Sequence, residues 1–419
     1  MAGEREAAAL AAAIDEARLW QRHLDMARLG ATPGGGVNRQ AFSPADGEAR
    51  RLLIRWAQEL GLAASLDPIG NLFIRRPGRE PQAEPVLTGS HLDSQPTGGK
   101  FDGAYGVLAG FEVLEAMQRC GMETRRPVEL VVWSNEEGSR FQPACMGSVA
   151  FIGARPLAEL LAARDWEGMT AGEALEAMLA TLAEVPRRPL GFPVAAYLEA
   201  HIEQGPLLEA AGVPIGVVTG VQGLHRYLVE VVGEAAHAGT TPLRQRKDAL
   251  KAAVSMIHAL EGVMADATDT VRFTVGRFDV APGSPNVVPS RVRFTIDLRH
   301  PEAEVLARLG GQIGPLCQAH ARGCAVTVTR LSAVPPTRFH PRIVSLVRHW
   351  ATALGLPHRE LLSGAGHDAM HLAAVCPAGM IFVPCAGGIS HNEAESARPA
   401  DLAAGARVLA ACLAELAAT

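Results

Sequence analysis

Lysine is scarce in this chain. Only Lys100, Lys247 and Lys251 occur among its 39 basic residues. The arginines that make up the rest are scattered and form no basic stripe, and the net charge is −5. Nucleic acid is therefore excluded as the expected partner. CxxC pairs are missing too. The seven cysteines (Cys120, Cys145, Cys317, Cys324, Cys376, Cys385 and Cys412) are odd in number and widely spaced, which argues against a disulfide framework and for a reducing compartment. No run is long and apolar enough to span a bilayer, so no membrane partner is expected. The opening stretch MAGEREAAALAAAIDEARLW carries charges throughout, unlike the apolar centre of a secretory signal. These absences lead us to expect a cytoplasmic protein. Internal repeats and low-complexity tracts are also missing, apart from alanine-rich helices.

What is present is ample apolar material for a large core in 419 residues, a length that favours two or three domains. The segment up to about residue 29 has helical spacing. Ser43-Pro44, an N-cap followed by a first-turn proline, predicts a helix that stops near Gly61. Residues 106–117 predict another. PVLTG (85–89), PVELVVWS (127–134), AAYLEAH (195–201) and MIFVP (380–384) read as buried strands. From 221 to about 331 the pattern changes to strand (225–232), helix (248–264), strands (271–280 and 291–298), helix (302–321) and strand (325–329). In the second of the paired strands Val292, Phe294, Ile296 and Leu298 share one face. This βαββαβ order is that of a ferredoxin-like sandwich. The expectation is an α/β domain with a central sheet, in two parts (1–220 and 333–419), interrupted by a ferredoxin-like domain over 221–332.

Four glycine-punctuated motifs stand at or just beyond the predicted strand ends: GSHLDSQPTGGKFDG (89–103), WSNEEGSRF (133–141), EAHIEQGP (199–206) and GGISHNEAE (387–395). Loops converge at that edge of an open α/β sheet. The motifs carry His91, Asp93, Asp102, Glu136, Glu137, His201 and His391, a donor set suited to two divalent ions that share a carboxylate. Asp93 sits two residues beyond His91. It could accept a hydrogen bond from the histidine's far nitrogen, or orient it through a bent backbone. Asp102 lies between glycines, where the chain can turn tightly toward an ion; standing alone it would be a helix cap. The pair Glu136-Glu137 follows a buried strand, which is costly unless cations or protons neutralise it. One of the pair can ligate a metal while its neighbour acts as general base. Taken singly, His201 would be a satisfied core histidine and His391 a surface or capping residue.

Together, in this order and spacing, the motifs resemble the dinuclear-metal aminoacylase and carboxypeptidase family. The chain is most similar to its amidase/hydantoinase/carbamoylase branch, which includes N-carbamoyl-L-amino-acid hydrolases, β-ureidopropionases and allantoate amidohydrolases. The resemblance runs from about residue 15 to the C-terminus. It implies that His91 and His201 hold one metal, Glu137 and His391 the other, that Asp102 bridges, and that Glu136 is the general base. It also implies two divalent ions per subunit, with zinc, manganese, cobalt and nickel all suited to the ligands.

Two further stretches match, EAAHAGTTPLRQRKDAL (234–250) and PGSPNVVPSRVRFTIDLRHP (282–301). By the resemblance, His237, Asn286 and Arg299 reach the substrate from a lid and dimerisation domain, the histidine often across a homodimer. His237 and Asn286 can donate hydrogen bonds to an oxygen that gains charge, and Arg299 can grip a carboxylate in a fork. The plainer alternatives are a turn role for Asn286 and an ion pair with Asp297 for Arg299. Gln204 could bond an amide or ureido group, and the backbone near Gly364 in SGAGHDAMH could hold a substrate end; His367 in the same motif reads as structural. The expected activity is hydrolysis of a linear C–N bond in a small, carboxylate-bearing N-carbamoyl amino acid. Allantoate hydrolysis is the alternative, followed by N-acyl-amino-acid or dipeptide hydrolysis. A non-catalytic binding protein would require a lost ligand or base, and none is lost.

Overall fold

A computed structural model describes residues 2–419. Up to Val221 the chain lays down β1 (Ala63–Leu66), β2 (Leu72–Arg76), β3 (Val86–His91), β4 (Val128–Trp133), β5 (Ala196–Ile202) and β6 (Ile215–Val221). There follow β7 (Gly223–Val232), β8 (Ala236–His237), β9 (Arg272–Ala281), β10 (Val287–Val288), β11 (Arg291–His300) and β12 (Ala325–Val334). The last strands are β13 (Thr337–Arg338), β14 (His358–Ser363) and β15 (Ala378–Val383). The chain divides into two compact units, Met1–Gly220 with Arg338–Thr419, and Val221–Thr337.

The first unit is built on a nine-stranded sheet of order β1-β2-β4-β3-β5-β15-β6-β13, with β14 also paired to β6. Its middle four strands, β4, β3, β5 and β15, run parallel. All their residues are buried, which is why they read as unbroken apolar runs rather than alternations. Gly89 lies inside β3 with φ +146°, and a Cβ there would meet the Val131 carbonyl oxygen of β4 at 1.9 Å; only glycine lets the two strands close at this point. Helices Ala104–Arg119 and Pro399–Ala418 pack on each other and on β3, β5 and β15.

The second unit is a four-stranded antiparallel sheet, β12-β7-β11-β9, with helices Ala249–Met264 and Ala303–Ala319. Its core gathers Val229, Val231, Met256, Val292, Phe294, Ile296, Leu298 and Ile313. The chain order is βαββαβ, and the short β8–β10 pair is an addition to it.

The structure differs locally from the sequence expectations. The N-terminal helical stretch is two helices, Ala2–Ala12 and Glu16–Ala27, because the Asp15 side chain accepts the Arg18 amide and starts a new helix. His91 is the last residue of β3 rather than a residue beyond it. The final strand of the second unit runs on to Val334 past an irregularity between Arg330 and Ser332, which broke the alternation.

Candidate metal centre

Because β3, β4, β5 and β15 are parallel neighbours, their following loops leave from one edge of the sheet. His91 ends β3, Glu136 and Glu137 follow β4, His201 is the penultimate residue of β5, and β15 feeds the loop that carries His391. His391 has a φ of +54° and a half-exposed side chain. Asp102 reaches the same place just ahead of helix Ala104–Arg119.

Asp102 is the shared member of two groups whose ligand atoms lie within 4.8 Å of one another: His91, Asp102 and His201, and Asp102, Glu137 and His391. Its Oδ1 is 3.3 Å from His201 Nε2 and 3.7 Å from His91 Nε2. Its Oδ2 is 3.3 Å from His391 Nε2, which is also 3.3 Å from Glu137 Oε2. Glu136 Oε2 lies 3.5 Å from His91 Nε2. His91 Nδ1 is 2.9 Å from the Asp93 carbonyl oxygen, and His201 Nδ1 is 2.9 Å from the Ile202 carbonyl oxygen. A carbonyl can only accept, so both rings carry a proton on Nδ1 and turn Nε2 inward.

Of the two possibilities for Asp93, the backbone one holds. Its carboxylate instead accepts the amides of Glu136 (3.1 Å) and Glu137 (3.2 Å). Two hydrogen bonds to one buried carboxyl tie down the turn that presents both glutamates. Gln204 donates to Asp102 Oδ2 at 3.0 Å, and its own Oε1 is buried without a hydrogen-bond partner among the described residues.

The electrostatics suit cations. Burial, reinforced by Asp368, Glu137, Asp93 and Asp102, pushes the Glu136 carboxyl well above its usual range. Burial and Asp102 push Glu137 up to about 8, and burial and Asp46 push Asp93 up to about 7. Burial also raises Asp102, but hydrogen bonds from His201 and His391 outweigh it and hold that carboxyl well below the usual range. Hydrogen bonding to Asp102 raises His391 to about 9; in His201 burial opposes the same bond, and the ring still reaches about 9. Imidazoles aimed inward by fixed tautomers, beside carboxylates short of positive charge, are a donor set that two divalent ions would satisfy. The residues fit the group.

A third group, Glu199, His201 and His367, also converges. Its atoms are already engaged, however. Glu199 accepts from Ser90 Oγ (2.7 Å), Tyr197 OH (3.0 Å) and the Ala369 amide (3.2 Å), and His367 Nε2 meets Ser363 Oγ at 2.9 Å. His367, its ring tilted against that of His201 with centroids 4.6 Å apart, is part of that packing.

His237, Asn286 and Arg299 lie in the second unit. His237 and Val287 are paired across β8 and β10, which brings His237 beside Asn286. His237 is exposed, and its Nδ1 accepts the amides of Gly239 (3.0 Å) and Thr240 (3.2 Å); the neutral ring therefore carries its proton on Nε2. Asn286 is exposed, and its Oδ1 accepts from Ser284 Oγ at 2.8 Å. Arg299 Nε donates to Asp297 Oδ1 at 2.8 Å, the ion pair weighed from the sequence. Gly364 lies exposed in the turn after β14, in the first unit.

Sequence reasoning missed several residues at the centre. Gln95 donates to Glu137 Oε2 at 2.8 Å, and Ser390 Oγ lies 3.2 Å from Asp102 Oδ2. The Cys145 amide donates to the Glu136 carbonyl at 2.8 Å, and its thiol sulfur lies 3.6 Å from Glu136 Oε1. Gln95 and Ser390 stood inside the motifs, but only the fold shows what they face.

The family model for peptidase family M20/M25/M40 matches residues 87–415. An N-carbamoyl-L-amino-acid amidohydrolase of Rhizobium meliloti is 41% identical over 402 residues, covering 94% of this chain and 95% of that protein. The allantoate amidohydrolase of Bacillus subtilis is 34% identical, over 94% of this chain and 95% of its own length. A solved hydantoinase/carbamoylase-family amidase from Burkholderia multivorans superposes with a TM-score of 0.90 at 44% identity, over 97% of this chain and 98% of that one.

Proposed function

The chain belongs to peptidase family M20/M25/M40, and from that premise we propose that it is a metal-dependent amidohydrolase of N-carbamoyl amino acids. The observation that carries the reading is the shared carboxylate of Asp102, whose two oxygens face two different ligand sets. His91 and His201 would hold one divalent ion, Glu137 and His391 the other, and Asp102 both. Such ions, zinc, manganese, cobalt or nickel by donor type, polarise a carbonyl and make water acidic enough to attack at neutral pH.

The chain's own residues do the rest. Glu136 takes the proton from the attacking water and returns it to the departing nitrogen. The carbamoyl C–N bond breaks as the new C–O bond forms, ammonia leaves, and the carbamate falls apart to carbon dioxide and the free amino acid. His237, through its Nε2–H, and Asn286 donate to the oxygen that gains charge. Arg299 grips the substrate carboxylate, and the Gln204 amide and the backbone at Gly364 hold the remaining polar groups. The identity to the carbamoyl-amino-acid enzyme, higher than that to the allantoate enzyme, favours the first substrate class. Seven unpaired cysteines support a reducing, cytoplasmic setting.

The test is ammonia release over a panel of N-carbamoyl amino acids, allantoate and dipeptides. Chelation abolishes the activity and added metal restores it. Turnover of allantoate or dipeptides with none of any N-carbamoyl amino acid would replace this reading, and full activity in metal-free protein would end it.

The family resemblance supports a homodimer in which His237 serves the partner's centre. Mixing inactive Glu136→Gln and His237→Ala subunits then restores activity, because each hybrid dimer assembles one intact site. No recovery after confirmed subunit exchange assigns His237 to its own chain or to no catalytic role.

A further inference from the structure

Glu395 closes the fourth motif, four residues after His391, and is 2% exposed. Its Oε1 accepts the amides of Phe101 (2.8 Å) and Asp102 (3.1 Å), residues from the other end of the chain. Its Oε2 lies 3.0 Å from Ser390 Oγ, which in turn lies 3.2 Å from Asp102 Oδ2. The carboxylate thus holds the peptide that leads into Asp102, and it shares the single hydroxyl proton of Ser390 with one oxygen of the Asp102 side chain. The glycines of the first motif make room for it: a Cβ on Gly99 would stand 2.0 Å from Glu395 Cδ. A buried carboxylate this close to another is costly unless it is bonded in return, and two amides and a share of one hydroxyl proton supply those bonds.

We propose that Glu395 is a positioning residue that fixes the orientation of Asp102, so that both cation positions depend on a side chain that ligates neither. The inference rests on the two-metal reading above. It extends that reading, because it ties the loop of one histidine ligand to the carboxylate both ions share. Asp93 plays the matching part at the Glu136-Glu137 turn, again as a buried carboxylate under two successive amides. Glu395 differs in what it controls: a displaced Asp102 turns both of its oxygens away from their imidazoles at once.

The experiment is a competition titration of chelated protein against a metallochromic indicator, with zinc as the probe and folding checked by the melting curve of the metal-free form. Partners of ligands typically contribute 10–100-fold in metal affinity. Glu395→Ala is therefore expected to weaken both sites by about 10–100-fold. Glu395→Gln retains an oxygen for the two amides and recovers most of the affinity. Should Glu395→Ala fail to fold, Gly99→Ala replaces it, since the added methyl displaces the carboxylate while every polar group remains. Wild-type affinity at both sites in the disruptive variant overturns the proposal, as does weakening of one site alone. A drop in metal-free stability with unchanged affinity also overturns it, and leaves Glu395 as a structural tie. Wild-type protein that binds fewer than two ions defeats the underlying reading and this inference with it.

Discussion

Replacing Glu136 with glutamine lowers turnover by ~10²–10⁴-fold, the usual contribution of a general base, while two divalent ions stay bound. The side chain has the placement for the task. Its Oε2 lies 3.5 Å from His91 Nε2 at the edge of the centre, and it belongs to neither convergent group around Asp102. Glutamine retains the size and one accepting oxygen but cannot hold a proton. The Asp93 contacts reach the backbone amide of residue 136, so they survive the exchange and the turn does not move. Elemental analysis of the purified variant alongside steady-state rates separates the outcomes. Metal retained with turnover near the wild-type value removes Glu136 from the chemistry, whereas metal lost along with turnover makes it a ligand.

Asp102→Ala has the second large effect, of a different kind. Both ions are lost together, with affinities down by more than the ~10–100-fold that partners of ligands contribute, and activity falls with them. The reason is geometric: Oδ1 faces His91 and His201, and Oδ2 faces His391. His391→Ala, by contrast, empties chiefly one position. The metal-free variant carries a second signature. His201 and His391 stand at about 9 largely through bonds to Asp102. With that carboxylate gone their charged forms lose a partner, and both rings titrate at lower pH. Titration of the ring proton signals reads this directly. Loss of only one ion in Asp102→Ala would refute the shared-ligand assignment.

The parts of the fold that the amino-acid sequence disclosed are those with a local cause. Continuous apolar runs marked β3, β4, β5 and β15 because both faces of those strands are covered, and period-two alternation marked β11 because only one face is. The Ser43-Pro44 start of helix Pro44–Glu59 was legible as capping chemistry. Strands β1, β2, β6 and β14 escaped; β1 and β14 are short and only partly buried, and such segments carry little periodicity. At the centre, residue types and glycine placement disclosed the ligand candidates. The second layer was hidden by distance along the chain: Asp93 meets the Glu136 amide 43 residues on, and Glu395 meets the Asp102 amide 293 residues back. Nor could alternation show that His91 is steadied by the Asp93 carbonyl rather than its carboxylate, because that depends on a backbone bend after β3.

The position of β15 bears on how the chain is made. It lies between β5 and β6, hydrogen-bonded to both, yet it is the last strand synthesised. A nascent chain that has reached the end of the second unit therefore holds five of the proposed ligand and base residues, with β5 and β6 still lacking the strand that joins them. The second unit, whose pairings are all internal, can close during that interval. The first unit must wait with two open, apolar strand flanks, the condition under which edge-to-edge association competes with folding. Chain termination before Ala378 should thus yield aggregate rather than a smaller folded protein, and only once β15 and the loop that carries His391 have been made can the sheet, and with it the proposed site for the second ion, become complete.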